Sequence, residues 1–219
     1  MEKTILITGK EIPLGEALGE AARKTGRNLV ITYEGIKTSK EDTTKIKKYP
    51  SGKTVETLWN RGSNAGARTV LVEAERLFHK IDETLLVFDA DYYSQVFRDL
   101  TSTGCAKIID NLIAGFIYLT WELTKRYAVQ NAGTLVFILK AKKNSYGNIP
   151  LSAALGAFEK LAEETGEISR EENWNVHLFR IQDEFSENGC NKLFQFLDTP
   201  KNKPNFKWNR ISSKEKFFF

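Results

Sequence analysis

A chain of 219 residues, 41% hydrophobic and 27% charged, can bury one sizeable core, so one domain over residues 1–198 followed by a basic aromatic tail over 199–219 is expected. The longest apolar run, residues 112–121, is about half of a membrane span. The two cysteines, Cys105 and Cys190, form no CxxC pair, which argues against a disulfide framework or a zinc ribbon and for a reducing cytoplasm. The net charge of +4 is uneven: residues 37–53 hold six lysines against Glu41 and Asp42, and residues 201–216 hold six bases against Glu215. Without a recognisable binding module these runs read as a solvated loop and tail, not as a nucleic-acid surface. Phe206 and Trp208 among the tail bases leave single-strand docking as the minor reading. Met1 is followed by a charged pair, so no secretory leader is expected.

In chain order, residues 4–8 form a short β-branched run, 14–24 carry apolar residues at helical spacing, and 28–33 form a second strand. This is a βαβ unit. Residues 54–59 give a third strand, and 64–79 a helix with Val70, Leu71, Ala74, Leu77 and Phe78 along one stripe. Residues 85–89 are almost wholly apolar, as a strand covered on both faces requires. The next helix, 105–129, is long and apolar on more than one side, through Ile108, Ile109, Leu112, Ile113, Phe116, Leu119 and Leu123. A strand over 134–139, a polar loop over 140–148 and a helix over 152–165 follow. That helix is rich in small residues, at Ala153, Ala154, Gly156 and Ala157. A strand over 175–181 and an amphipathic helix over 189–197 complete the pattern. Alternation of this kind predicts an α/β fold, a Rossmann-type doubly wound parallel sheet in a three-layer α/β/α sandwich.

The order of elements and five local stretches resemble the short-chain dehydrogenase/reductase family over about residues 3–198. "TGKEIPLG" resembles its TGxxxGxG turn, with Thr8, Gly9 and Gly15 in place. "VEAERLFHKIDETLLVFDA" resembles the helix and strand leading to the NNAG motif, read here as "FDAD" with Ala90 inside it. "IIDNLIAGFIYLTWEL" resembles the family's long interface helix, with Asn111 where a catalytic asparagine stands. "GTLVFILK" resembles the strand ending at the catalytic serine, and "LSAALGAFEKLAEE" the segment that begins with YxxxK. "SNAGA" at 63–67 looks like NNAG but reads as a helix start.

The departures from the family are chemical. The resemblance implies a tyrosine as general acid/base, a lysine that lowers its pKa, and a serine that orients the carbonyl. In this chain Leu151 and Leu155 fall at the tyrosine and lysine positions, and Lys140 falls at or beside the serine. Asn111 then reads more simply as an asparagine satisfying backbone groups in a helical bend. Tyr146, with Ser145 and Lys142 or Lys143 nearby, is a candidate relocated acid, against the plainer reading of a polar loop. His79 and His177 are too far apart in sequence for a metal site, and none is expected.

The opening turn carries the cofactor question. In such folds the pyrophosphate rests on N–H groups at the helix N-terminus, and the middle glycine admits it. Here Pro13 replaces that glycine, removing a donor and adding a ring, while Leu14 and Gly15 continue the helix. At the end of the second strand, Tyr33 and Glu34 stand where a ribose would be held, and Lys37 could face a phosphate. NAD(P) is therefore the cofactor implied, with a damaged cradle. The resemblance as it stands implies a member without carbonyl reductase activity, acting in assembly, regulation or nucleotide sensing. It would form a homodimer, or a heterodimer with an active relative, through helices 105–129 and 152–165. The rival is an NAD(P)-dependent oxidoreductase whose atypical site uses Lys140, Tyr146 or the substrate for proton transfer.

Overall fold

The computed structural model describes residues 2–34, 46–49, 52–142, 148–181, 186–199 and 207–211. Its eight-stranded sheet has the order β3-β4-β2-β1-β5-β6-β7-β8. The strands are β1 (Thr4–Ile7), β2 (Asn28–Tyr33), β3 (Ile46–Tyr49), β4 (Gly52–Leu58), β5 (Glu83–Asp89), β6 (Thr134–Lys140), β7 (Asn175–Ile181) and β8 (Asn209–Ile211). All neighbours are parallel except the β3–β4 edge hairpin, where Ile46 faces Val55 and Tyr49 faces Gly52. β1 lies between β2 and β5, so the winding reverses beside it. In open α/β sheets, such a reversal opens a crevice at the carboxyl ends of the strands.

The helices are α1 (Pro13–Arg23), α2 (Asn64–Phe78), α3 (Ala90–Val96), α4 (Ser102–Lys107), α5 (Gly115–Gln130), α6 (Ile149–Ile168) and α7 (Glu187–Asp198). Right-handed crossovers that run in opposite directions from β1 put helices on both faces. α1 packs against α7 on one side, and α2, α5 and α6 form a row on the other. Central strands buried on both sides read as unbroken apolar runs, and β5 is buried along its whole length. Its Phe88 touches the rings of Phe116 and Phe158, which carry the packing into α5 and α6.

The doubly wound three-layer fold expected from the sequence is the one observed. Four features differ from expectation. Lys47 and Lys48 sit in a strand, β3, where the lysine run reads as a loop. β8 adds a parallel strand beside β7 from within the stretch assigned to the tail. The long helix is interrupted by a π-helical segment, Ile108–Ala114, between α4 and α5. Ala154 belongs to the protein's own core and is wholly buried, so it does not share an outward small-residue face with Ala153 and Gly156, which are exposed.

Candidate functional site

The β1–α1 turn keeps its architecture. Gly9 has φ +81°, which glycine adopts without strain. A Cβ on Gly15 would come within 2.1 Å of the Gly9 carbonyl oxygen, so only glycine lets α1 start this close to β1. Thr8 acts as a brace: its hydroxyl accepts from the Val87 N–H at 2.9 Å, tying β1 to β5. Ile12 is the N-cap residue and offers no side-chain cap, Pro13 opens α1, and Leu14 is buried. The first turn of α1 therefore has one backbone donor fewer than a phosphate cradle normally supplies.

Arg61, three residues beyond β4, lies in the crevice and is fully buried. Gly115 makes this approach possible, since a Cβ there would lie 2.9 Å from the Arg61 Cβ. The guanidinium lies 4.6 Å from the Trp59 ring centroid and 5.5 Å from that of Phe116, both within cation–π range. Its Nη1 donates to the Tyr93 hydroxyl at 2.8 Å and its Nη2 to Glu11 Oε1 at 2.8 Å. Its Nε stands 3.9 Å from Glu34 Oε2 and makes no hydrogen bond. Burial opposes the charge, but Tyr93, Glu11 and Glu34 outweigh it and hold the guanidinium pKa above its ordinary value.

The carboxylates close the network. Glu11 Oε2 accepts from the Glu34 backbone N–H at 3.3 Å. Glu34 Oε1 accepts from Asn111 Nδ2 at 2.5 Å. Side chains from the β1–α1 turn, the end of β2, the β4–α2 loop, α3 and the π-helical segment thus meet at one point. Burial raises the Tyr93 phenol pKa far above its ordinary value, Arg61 opposing it only in part. Tyr92 is raised as well, by burial and then by Glu11 and Glu34. Both phenols hold their protons at neutral pH, the reverse of the lowered pKa that a proton-relaying tyrosine needs.

Beside this network Lys140, at the end of β6, pairs with Asp89 at 3.0 Å, one residue directly across from it in the sheet. Asp89 also caps α3 by accepting from the Tyr92 N–H. Leu151 and Leu155 are 1% and 5% exposed and pack into the core from α6.

The structure therefore brings together Gly9, Glu34 and Asn111 of the expected residues. Ala90, buried in the first turn of α3, and Thr8 serve the scaffold. Tyr33 ends β2 with its ring half buried. Asn111 is not enclosed in a bend satisfying backbone groups; it lies in the π-helical segment with its amide on Glu34. Lys140 has Asp89 as its partner. Lys37 and Tyr146 lie outside the described residues. Arg61, Glu11 and Tyr93 were not anticipated. The one sequence signal is an arginine beside Trp59 at a strand's end, which a solvated loop shares.

No protein-family model matches the sequence. The fold is that of short-chain dehydrogenases. A metagenomic short-chain oxidoreductase solved in complex with NADP superposes with a TM-score of 0.71 at 10% identity, covering 96% of this chain and 97% of that one. A short-chain dehydrogenase from Streptomyces avermitilis superposes at 0.65 and 14% identity, covering 97% and 88%. One from Bacillus anthracis superposes at 0.62 and 17% identity, covering 82% and 75%. Among curated proteins, an uncharacterized protein of Treponema pallidum (strain Nichols) is 28% identical over 106 residues, 48% of each chain. The match thus spans about half the length of that relative.

Among the described residues, no helix is long and apolar enough to cross a membrane, and no group of three His, Cys, Asp or Glu is placed to hold a metal. Among the described residues, the donor set at the crevice does not fit a pyrophosphate. Pro13 contributes no N–H, and Glu11 and Glu34 set two carboxylates against one guanidinium. Glu34 is also already engaged by Asn111.

Proposed function

We propose that this protein uses the short-chain dehydrogenase fold for assembly, without carbonyl reduction, as a cytoplasmic homodimer or as the partner of an active relative. The reading rests on the residues found where the family resemblance expects the acid/base pair. Leu151 and Leu155, which the resemblance aligns with that pair, are buried in the core, and Tyr92 and Tyr93 beside the crevice have raised phenol pKa values. Proton transfer to a carbonyl needs a titratable group within reach of it, and neither leucine is one. The outer surface supports the second half. Ile109, Ile117 and Trp121 recur at spacings of eight and four along one helical rod, and all are exposed, Trp121 by 52%. Ala153 and Gly156 give α6 an exposed face of small residues against which another helix could pack closely.

Light scattering after size exclusion tests the assembly: a dimer is expected, dissociated by Trp121→Glu and by Ala157→Glu. A monomeric wild type, alone and with candidate active relatives, overturns it. A working NAD(P)-dependent oxidoreductase is the second reading, favoured by the NADP-bound neighbour with the same fold. NADPH consumption with a panel of aldehydes and ketones would establish that reading and remove the first.

A further inference from the structure

We propose that Glu11 is a tethered anion that occupies Arg61 in place of a ligand's phosphate and so closes the dinucleotide crevice from within. This goes beyond the loss of carbonyl reduction, since an inactive dehydrogenase can still bind its coenzyme.

The argument starts from charge. An arginine as deeply buried as Arg61 must be neutralised in place, and here the compensating charges come from the chain itself. Glu11 Oε1 takes Nη2 at 2.8 Å, and Glu34 Oε2 faces Nε at 3.9 Å. Both carboxylates sit at the places the fold reserves for a cofactor: Glu11 within the phosphate-binding turn, Glu34 at the strand end where a ribose is held. The turn is fixed in that position. Lys10 N–H donates to the Thr32 carbonyl at 2.7 Å, Ile12 N–H to Gly9 at 3.0 Å, and Glu11 itself receives the Glu34 N–H.

A dinucleotide entering this crevice meets a net negative centre and no free guanidinium. Each phosphate would need to displace a carboxylate that pays no translational entropy to be there. One substitution should reverse this. With Glu11 removed, Nη2 loses its partner, Nε already lacks a hydrogen bond, and two N–H groups of a planar fork are left for an oxyanion.

Inorganic pyrophosphate and NADPH are titrated calorimetrically into the full-length protein, with sulfate at matched ionic strength as control. Wild type is expected to show no saturable binding of either up to roughly millimolar concentration. Glu11→Ala should bind pyrophosphate at least about tenfold more tightly than sulfate, and Arg61→Met in the same background should abolish this. Saturable binding of NADPH or pyrophosphate by wild type overturns the proposal, and so does a folded Glu11→Ala that binds neither. If Glu11→Ala fails to fold, Glu11→Gln carries the same expectation, because a neutral amide of the same length competes less well with an anion. Dimerisation and carbonyl reduction are not read here, so a coenzyme-binding wild type would remove the plug and leave the assembly reading to its own test.

Discussion

Arg61 Nη1 and the Tyr93 hydroxyl meet 2.8 Å apart, joining the β4–α2 loop to α3 from opposite sides of the point where the sheet reverses. Related folds leave this gap for a ligand. Here protein atoms bridge it, which makes the crevice part of the stability of the molecule.

The bridge predicts an inverted ranking of two substitutions. Glu11→Ala removes the more exposed partner, yet it leaves the buried guanidinium with only the more distant Glu34. It should cost about 3 kcal/mol. Arg61→Met keeps an apolar side chain between Trp59 and Phe116 and frees two carboxylates that are partly exposed and can take up water. It should cost only about 1–2 kcal/mol. Urea unfolding of both variants checks the order, and the double variant should lose less than the sum. Equal or reversed costs would mean that Glu11 does not neutralise Arg61.

The central sheet was legible because β1, β2, β5, β6 and β7 are apolar runs that only a doubly covered strand requires. β3 was not, because Lys47 and Lys48 satisfy the rules for an edge strand and for a loop equally well. β8 is only three residues long and lies among tail bases. The π-helical segment was hidden because its one-residue widening leaves the apolar spacing of Ile108, Leu112 and Phe116 helical. Of the candidate site, Gly9, Gly15 and Glu34 came from a known motif. Arg61 is one of 32 Lys and Arg residues, and its burial depends on Gly115, 54 positions away, through a contact no local pattern encodes.

The amino-terminal end of the central strands, opposite the crevice, holds a second buried ion pair. Arg27 Nε donates to Glu83 Oε2 at 2.6 Å and Nη2 donates to Asp198 Oδ1 at 2.6 Å, while Lys3 reaches Glu83 at 2.9 Å. The guanidinium also lies 5.2 Å from the Phe194 ring centroid, so this clasp fixes the starts of β2 and β5 to the end of α7. Glu83→Leu leaves Arg27 buried beside the exposed Asp198 alone and should cost about 3–5 kcal/mol. Glu83→Leu with Arg27→Met should recover much of that loss in chemical denaturation. Equal single and double losses would show that packing, not charge, is at stake.

The two cysteines should differ in reactivity. Cys190 is buried in the first turn of α7, and burial pushes its thiol pKa up to about 11, Glu187 adding to the effect. The thiolate is the reactive form. Cys105 is half buried in α4. Iodoacetamide near neutral pH should modify Cys105 alone in the native protein and both cysteines in urea, as read by peptide mass spectrometry. Native modification of Cys190 would indicate that α7 detaches readily from α1.

Acid should weaken the α2–α5 contact through Glu122. This carboxylate is buried, which by itself raises its pKa, but hydrogen bonds from Arg126, Arg68 and Lys125 outweigh burial and hold it below its ordinary value of 4.5. Arg126 reaches on to Glu75 of α2 at 2.9 Å, so the cluster binds the two helices together. A carboxylate whose pKa is depressed by folding stabilises the folded state above its unfolded pKa and loses that contribution as pH falls through the folded one. Unfolding midpoints should therefore drop between roughly pH 5 and roughly pH 3, and Glu122→Gln should flatten part of that slope while lowering stability at neutral pH. An unchanged acid slope in the variant would assign the transition to other carboxylates and leave Glu122 as a packing group only.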